Sequence, residues 1–314
     1  MFTIGIDIGG MSIKIGVVDD TGVIIAQSRF KTEGTPNESI KKMAEYINDL
    51  LTEKNIALSD VRGIGVGCPG SVNGGTGMIE ILPNLDWVKV PIVEEFKKYF
   101  NLPVKISNDA NVAALAEAIY GVAKDYNNCV MFTLGTGVGG GIILDKKLVE
   151  GGHSLGAELG HITLVLNGID CTCGRKGCIE RYVSATALIE QTKEAMLLNK
   201  DSIMWDFVDG DINNVDGRTA FECAKKGDIT AKSVQDKYIF YLGESILNML
   251  NISRPDAFIL GGGISAQGKY LTDLLQDYCE KFEYGYKLSP RTEIVTATLG
   301  NDAGIIGAAA LLIQ

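Results

Sequence analysis

Long hydrophobic runs are missing from this chain of 314 residues: none reaches the roughly 18 residues that a membrane-spanning helix needs. The N-terminus begins with a strand pattern rather than a secretion signal. Blocks of lysine or arginine are also missing, and 39 acidic against 29 basic residues give a formal net charge of -10. The missing spans and signal predict a cytoplasmic protein without a membrane partner. Because such an acidic chain repels polyanions, we also expect no nucleic-acid partner.

Histidine is scarce, with two residues, and the seven cysteines are an odd number. In a chain without an export signal, that number favours a reducing compartment and no structural disulfides. We expect His153 to be a solvated loop residue. The cysteines that lie far apart in the sequence are predicted to be small buried hydrophobes; they are Cys68, Cys129, Cys223 and Cys279.

The other three cysteines, Cys171, Cys173 and Cys178, lie within eight residues of one another, with His161 shortly upstream. Gly174 and Gly177 give the connecting loop the permissive backbone that a metal knuckle needs. Thiolates and imidazole are zinc ligands, and four protein ligands leave no position for a reacting water. The spacing therefore predicts one closed zinc site with a structural role.

Strand, glycine turn and strand follow one another twice along the chain. The first hairpin is predicted within residues 2–18, with a turn at Gly9 and Gly10, and the second within 130–144, with glycines from Gly135 to Gly141. Helical periodicity is predicted after Pro36, through 40–51, and through 234–250. Strands alternating with helices indicate an α/β protein with two related halves.

Three glycine-rich turns follow predicted strands, at Gly9–Gly10, at Gly135–Gly141 and at Gly261–Gly263. Such turns let backbone N–H groups approach phosphate, although any single turn is also ordinary hairpin geometry. Walker and Rossmann motifs are excluded, because strands rather than helices follow both hairpin turns. A C-terminal helix, capped by Asn301 and Asp302 and running to Leu312, is expected to pack against the first domain.

Asp109 follows a predicted strand and stands at the start of an alanine-rich helix. The helix dipole favours an ionised carboxylate there, which can accept a proton from a substrate hydroxyl. Helix capping is the alternative, since Asn and Asp are preferred at such positions. Glu158 and Glu180 flank the predicted zinc site and are candidates to bind sugar hydroxyls.

The segments Glu158–His161 and Cys171–Glu180 together resemble, in order and spacing, the signature of the ROK family of bacterial sugar kinases and sugar-responsive repressors. The segments at Asp7–Gly10, Gly135–Gly141, Gly261–Gly263 and Asn301–Gly304 are similar to its phosphate, nucleotide and C-terminal motifs. The resemblance implies a two-domain actin-like ATPase (ribonuclease H-like) α/β fold with a cleft between the domains. Expected bounds are 1–118 plus 300–314 for a smaller N-terminal domain and 119–299 for a larger domain with the zinc loop.

The resemblance also implies residue roles. Asp109 is the expected catalytic base and also contacts the sugar, whose other contacts are expected from Gly70, Asn108, Glu158, His161 and Glu180. His161 would serve zinc and sugar together. Expected contacts to ATP and Mg2+ come from Asp7, Gly9, Gly10, Ser12, Lys14, Gly135, Thr136, Gly137, Gly261, Gly262 and Gly263.

The implied reaction is ATP-dependent phosphorylation of a hexose, with glucose as the best single substrate and domain closure over it. N-acetylmannosamine, N-acetylglucosamine, allose and fructose kinases share the same motifs. The sequence departs from the family where a threonine usually follows Gly9 and Gly10: Met11 stands there and lacks a hydroxyl, and Ser12 is adjacent. A sugar-binding protein with weak kinase activity is therefore an alternative. A sugar-responsive repressor is a second alternative, because part of the family joins this fold to a helix-turn-helix. The family resemblance indicates a homodimer or homotetramer.

Overall fold

The computed structural model describes residues 1–285 and 290–314. Its strands are β1 Phe2–Ile8, β2 Ser12–Asp19, β3 Ile24–Lys31, β4 Val61–Cys68, β5 Ser71–Asn73, β6 Met78–Leu82, β7 Trp87–Val90, β8 Val104–Asn108, β9 Cys129–Leu134, β10 Val138–Leu144, β11 Lys147–Leu148, β12 Ala257–Gly261 and β13 Glu293–Thr296. Its α-helices are α1 Pro36–Glu53, α2 Ile92–Lys97, α3 Asp109–Ile119, α4 Glu180–Val183, α5 Ala185–Leu198, α6 Met204–Phe207, α7 Thr219–Lys225, α8 Ile229–Ser253, α9 Lys269–Phe282 and α10 Ala303–Ala310.

Two compact units make up the described chain. Unit 1 contains residues 1–127, 141–157 and 298–314, and unit 2 contains 128–140 and 158–297. Residues 119–127, 141–157 and 298–299 thus belong to unit 1, whereas the sequence-based bounds assign them to the larger domain. The domain bounds of 1–118 plus 300–314 and 119–299 stay a prediction. Among the described helices, none is both long and apolar enough to cross a membrane.

Unit 1 is built on a five-stranded sheet of order β3-β2-β1-β4-β8. Strands β1 and β2 pair antiparallel from Phe2 opposite Asp19 to Ile8 opposite Ile13, which confirms the predicted first hairpin. Strand β4 runs parallel to both β1 and β8, so the carboxyl ends of these three strands lie at one edge of the sheet. Helix α1 begins after a capping box at Thr35 and buries the predicted apolar stripe.

Helix α10 lies directly on this sheet, because glycines remove the side chains that would separate their backbones. A Cβ built at Gly65 in β4 would lie 1.7 Å from the carbonyl oxygen of Ala308, and one at Gly5 in β1 would lie 2.0 Å from that of Ile305. The predicted packing of the C-terminal helix is confirmed. Its predicted capping is wrong: Asp302 makes no side-chain cap bond, and a 3-10 turn, Gly300–Asp302, leads into the helix.

The second five-stranded sheet has the order β11-β10-β9-β12-β13, so β9 and β10 are neighbours, as the second predicted hairpin requires. Strand β12 runs parallel to β9 and to β13. Helix α8, capped by Asp228, buries Val234, Tyr238, Leu242 and Ile246 in unit 2. The predicted long amphipathic helix is therefore confirmed.

A buried carboxylate joins two segments of unit 1. Glu117 in α3 is 0% exposed, and its oxygens accept the backbone N–H groups of Val122, Thr298 and Leu299 at 2.9, 2.8 and 2.7 Å. The hydroxyl of Thr298 donates to the same carboxylate at 3.1 Å. These four bonds satisfy the charge and hold the chain that leads into α10 against the end of α3.

We predict that Glu117→Gln lowers the free energy of unfolding by about 2 to 3 kcal/mol. Both carboxylate oxygens of Glu117 accept backbone N–H groups, whereas glutamine has only one oxygen. Its NH2 group would face a backbone N–H, and that buried donor would lose its acceptor. The urea midpoint followed by circular dichroism measures the effect. Glu45→Gln is the control, since its side chain is 61% exposed in α1; equal midpoints for the two variants would contradict the assignment.

Candidate functional site

Four predicted site residues of unit 1 stand at the carboxyl ends of the parallel strands. Asp7 in β1 pairs with Gly67 in β4, and Cys68 pairs with Asn108 at the end of β8. The side-chain amide of Asn108 donates to the carbonyl of Gly70 at 3.1 Å. The structure therefore brings Asp7, Gly70, Asn108 and Asp109 to one edge of the sheet.

Asp109 is exposed and is the first residue of α3, while Asn108 holds the N-cap position. The side-chain oxygen of Asn108 accepts the N–H of Ala110 at 2.9 Å, and Oδ1 of Asp109 accepts the same N–H at 2.8 Å. Burial, together with the negative charges of Asp109 and Asp7, raises the pKa of the Cys68 thiol. Capping is thus mainly the role of Asn108, and the edge beside Cys68 is negatively charged.

The first glycine turn lies beside Asp7. Lys14 in β2 donates to the Asp7 carboxylate at 3.1 Å and to the carbonyl of Asn301 at 3.2 Å. A Cβ at Gly304 would lie 2.7 Å from Asp7 Cγ, so the C-terminal motif approaches the same carboxylate. A cavity of about 560 Å³ in unit 1 is lined by Lys14, Gln27, Ser28, Arg29, Asn301 and Asp302.

Met11 and Ser12 differ in their surroundings at this turn. The Met11 side chain is 84% exposed. The Ser12 hydroxyl accepts a hydrogen bond from Arg29 Nε at 2.9 Å. Gly9 N donates to the Ser12 carbonyl, and Thr32 Oγ1 donates to the Gly9 carbonyl, so both ends of the turn are fixed. Met11, at the position usually held by threonine, therefore exposes its thioether to solvent, while the hydroxyl of Ser12 accepts a hydrogen bond from Arg29.

The other two glycine turns lie together in unit 2. Residues Gly135, Thr136 and Gly137 connect β9 to β10, and Gly135 N donates to the Gly137 carbonyl at 3.0 Å. Gly262 follows β12 with a φ of 82°, and a Cβ there would lie 2.5 Å from the carbonyl oxygen of Leu134. Because β9 and β12 are parallel neighbours, both turns leave the sheet at the same edge.

The Cys/His cluster forms in unit 2 as predicted from spacing. The ligand atoms of His161, Cys171, Cys173 and Cys178 all lie within 4.8 Å of one another. Cys171 Sγ is 3.7 Å from His161 Nδ1, and the sulfurs of Cys173 and Cys178 are 3.6 Å apart. A tetrahedron with metal–sulfur bonds of about 2.3 Å has edges of about 3.8 Å. The four residues can therefore hold a tetrahedral metal ion.

The remaining cysteines and the second histidine have the predicted environments. Cys68, Cys129, Cys223 and Cys279 are buried, and His153 is exposed in a short 3-10 turn. Burial raises the pKa of the Cys178 thiol to about 12. A positive ion is what would hold such a buried sulfur as a thiolate, which agrees with the donor set of a zinc site.

Glu180 connects the cluster with the glycine turn. One of its carboxylate oxygens lies 4.0 Å from Cys171 Sγ, and the other accepts the N–H of Val138 at 3.0 Å. Glu158 is exposed and precedes the 3-10 turn Leu159–His161, in which its carbonyl accepts the His161 N–H. The hydrogen bond between Val138 and Glu180 was not predicted from the sequence. The one sequence signal for it is the glycine at position 137, because a Cβ there would lie 2.3 Å from the Glu180 carboxylate.

A family model described as ROK family matches residues 3–314 of this chain. The chain belongs to the ROK family. The glucokinase of Streptomyces coelicolor is 33% identical over 311 residues, which cover 98% of this chain and 96% of that protein. As a member of this family, the chain has glycine turns and a Cys/His cluster at the positions that the motifs predict.

Solved ROK structures resemble the chain over nearly its whole length. A ROK family glucokinase from Streptomyces griseus, crystallised with glucose and AMPPNP, has a TM-score of 0.78, 31% identity and 99% coverage of both chains. The ROK hexokinase from Thermus thermophilus has a TM-score of 0.82 and 27% identity, with 99% of this chain and 97% of that chain covered. These matches confirm the predicted two-domain actin-like ATPase fold of the α/β class.

We predict about one zinc ion per chain by elemental analysis and its loss in Cys173→Ser. Cys173 is the exposed member of the cluster, so this substitution removes a ligand with little disturbance of the core. Cys223→Ala is the control, because that thiol is buried outside the cluster. Equal zinc content in the two variants would exclude the predicted ligand set.

Proposed function

We propose that this ATP-dependent hexose kinase of the ROK family phosphorylates glucose at the C6 hydroxyl. The observation that carries the proposal is the exposed Asp109 carboxylate at the start of α3, next to Asn108 and Gly70. Its support from relatives is the glucokinase of Streptomyces coelicolor and the glucose complex of the Streptomyces griseus enzyme. The residue order Asn108–Asp109 supplies a hydroxyl ligand and a base side by side.

Asp109 is proposed to be the general base. As the sugar oxygen forms its bond to the γ-phosphorus, the hydroxyl proton passes to the Asp109 carboxylate, and the bond between the γ-phosphorus and the β,γ-bridging oxygen breaks to release ADP. The helix dipole of α3 favours the ionised carboxylate that this step requires. The carboxylate is exposed, so a hydroxyl can reach it.

We further propose that the sugar hydroxyls bind to Gly70, Asn108, Glu158, His161 and Glu180. His161 Nδ1 faces Cys171, which leaves Nε2 as the nitrogen on the far side of the ring. Zinc bound through Nδ1 would fix that ring while Nε2 bonds a hydroxyl. Arg175 donates to the carbonyl of His161 at 3.3 Å and steadies the same residue.

The nucleotide side of the proposal uses the three glycine turns. Gly9, Gly10, Ser12 and Lys14 in unit 1, and Gly135, Thr136, Gly137 and Gly261–Gly263 in unit 2, are proposed to contact ATP. Asp7 would hold Mg2+, since carboxylate oxygens are its preferred ligands and the Asp7 side chain is 21% exposed. The ion would neutralise developing phosphate charge, and Lys14 keeps the Asp7 carboxylate oriented.

The metal and the oligomer complete the proposal. The Cys/His cluster is proposed to hold a structural zinc ion that orders the loop carrying His161 and leading to Glu180. From the family resemblance we propose a homodimer or homotetramer, which light scattering distinguishes from a monomer.

Other hexoses and N-acetylhexosamines are alternative acceptors, because they differ from glucose at few hydroxyls.

We predict that Asp109→Asn lowers kcat on glucose about 100-fold or more while glucose still binds. Asparagine keeps the shape and the helix start but cannot accept the proton. Coupled ATP turnover over a panel of hexoses and N-acetylhexosamines measures kcat, and calorimetry measures binding. Asp49→Asn, an exposed acid on α1, is the matched control. Full turnover by Asp109→Asn would exclude this base, and a wild-type protein inactive on every sugar would exclude the kinase function.

A sugar-binding protein with weak kinase activity is a second candidate, favoured by the exposed thioether of Met11, which has no hydrogen to donate to phosphate. We predict that Met11→Thr raises kcat/KM for ATP about tenfold, because a hydroxyl bond to charged phosphate contributes about 1.5 kcal/mol. Met11→Val has nearly the same shape without the hydroxyl and serves as control. Equal values for the threonine and valine variants would show that phosphate binding does not use this position.

A further inference from the structure

The segment Leu159–His161, which carries a residue proposed to bind sugar, packs closely on Val138 and on Gly140 in β10. A Cβ at Gly160, next to His161, would lie 2.0 Å from the carbonyl oxygen of Val138. A Cβ at Gly140 would lie 2.7 Å from Leu159. The segment from Leu159 to His161 therefore follows the backbone of β10, and a shift in one requires a shift in the other.

The turn at residues 135–138 also contacts Glu180, another residue that is proposed to bind sugar. Val138 N–H donates to one carboxylate oxygen of Glu180, and the Cβ position of Gly137 lies 2.3 Å from that oxygen. The carboxylate therefore occupies the space above Gly137 and is anchored by the adjacent peptide. Charge-assisted bonds of this kind are short and directional, so the turn sets where Glu180 points.

Two further bonds tie the carbonyl groups of the turn to the chain that follows Glu180. Ala185 N donates to the Gly135 carbonyl at 2.8 Å, and Thr186 Oγ1 donates to the Thr136 carbonyl at 2.9 Å. Ser184, the residue just before Ala185, caps α5 through its side chain. The carbonyls of the turn are thus held, and Gly135 N–H is bonded to the Gly137 carbonyl, so the N–H groups of Thr136 and Gly137 are the ones proposed to contact phosphate.

We infer that this turn couples nucleotide and sugar binding within unit 2, so that each ligand raises the affinity for the other. The inference rests on the proposed function, in which phosphate contacts Gly135–Gly137 and sugar contacts His161 and Glu180. Phosphate bound to the turn would fix the Gly137–Val138 peptide, whose N–H donates to Glu180. A sugar hydroxyl bound to Glu180 would fix the carboxylate, and through this hydrogen bond the same peptide. Because both ligands favour one arrangement of the turn, the coupling is positive and reciprocal.

Calorimetry on the zinc-loaded full chain tests this coupling through the ratio of two glucose Kd values, without and with saturating AMPPNP and Mg2+. We expect a ratio of about five or more in the wild type. In Gly137→Ala the added methyl displaces the Glu180 carboxylate, and the ratio should fall close to one. Gly152→Ala is the control outside both binding sites, where a Cβ also meets nothing within 4 Å and the residue is exposed; it should keep the wild-type ratio.

Thr186→Val is a second variant, since it removes one bond to the turn from a partly exposed side chain and should reduce the ratio by about half. Zinc content and circular dichroism establish that each variant is folded. Turnover of glucose with a wild-type ratio of one, or equal ratios in the wild type, Gly137→Ala and Thr186→Val, would overturn the coupling alone. A wild type that neither binds nor phosphorylates any sugar would overturn the proposed function, and the coupling with it.

Discussion

Close contact between backbones, made possible by glycine, is the constraint on which the described structure depends. In unit 1, Gly5 and Gly65 bring α10 onto β1 and β4, and Gly307 brings it onto α3, where a Cβ would lie 1.8 Å from the Val112 carbonyl. Gly304 then lies against Asp7. Since no methyl group fits at these contacts, the carboxylate edge of the sheet and the C-terminal helix have one arrangement rather than several.

Local patterns made much of the fold predictable, and long-range contacts account for what was not. The first hairpin, α1 and α8 follow from periodicity and turn residues that act over a few positions. The cap at Asp302 was wrong because the start of α10 is fixed by packing on β1 and by the Glu117 bonds to Thr298 and Leu299, which are 181 and 182 residues away in sequence. The metal cluster was predictable because its ligands lie within a short segment; the Val138 bond to Glu180 spans 42 residues and has no local pattern.

Charge is distributed unevenly around the first phosphate turn. The chain carries a net charge of -10, yet Lys14 and Arg29 stand together beside Asp7 and Ser12. These two side chains place local positive charge at the lining of one cavity, which suits the polyphosphate binding proposed for this turn. Asp7 accepts from Lys14, so the carboxylate offsets part of this positive charge and is held in place by it.

The zinc loop shows why a metal ion would be needed where a hydrophobic core is absent. Between His161 and Cys178 the backbone has isolated bridges, at Thr163 with Cys178 and at Asp170 with Lys176, but no regular helix or strand beyond the 3-10 turn. Its apolar side chains are poorly covered, with Leu166 83% exposed. Ordering such a loop costs conformational entropy, and the packing of its exposed side chains contributes too little free energy to offset that cost. Four bonds to a metal ion can offset it. The ion would therefore act on the reaction through order alone, by fixing the peptide on each side of His161 and the start of α4 at Glu180.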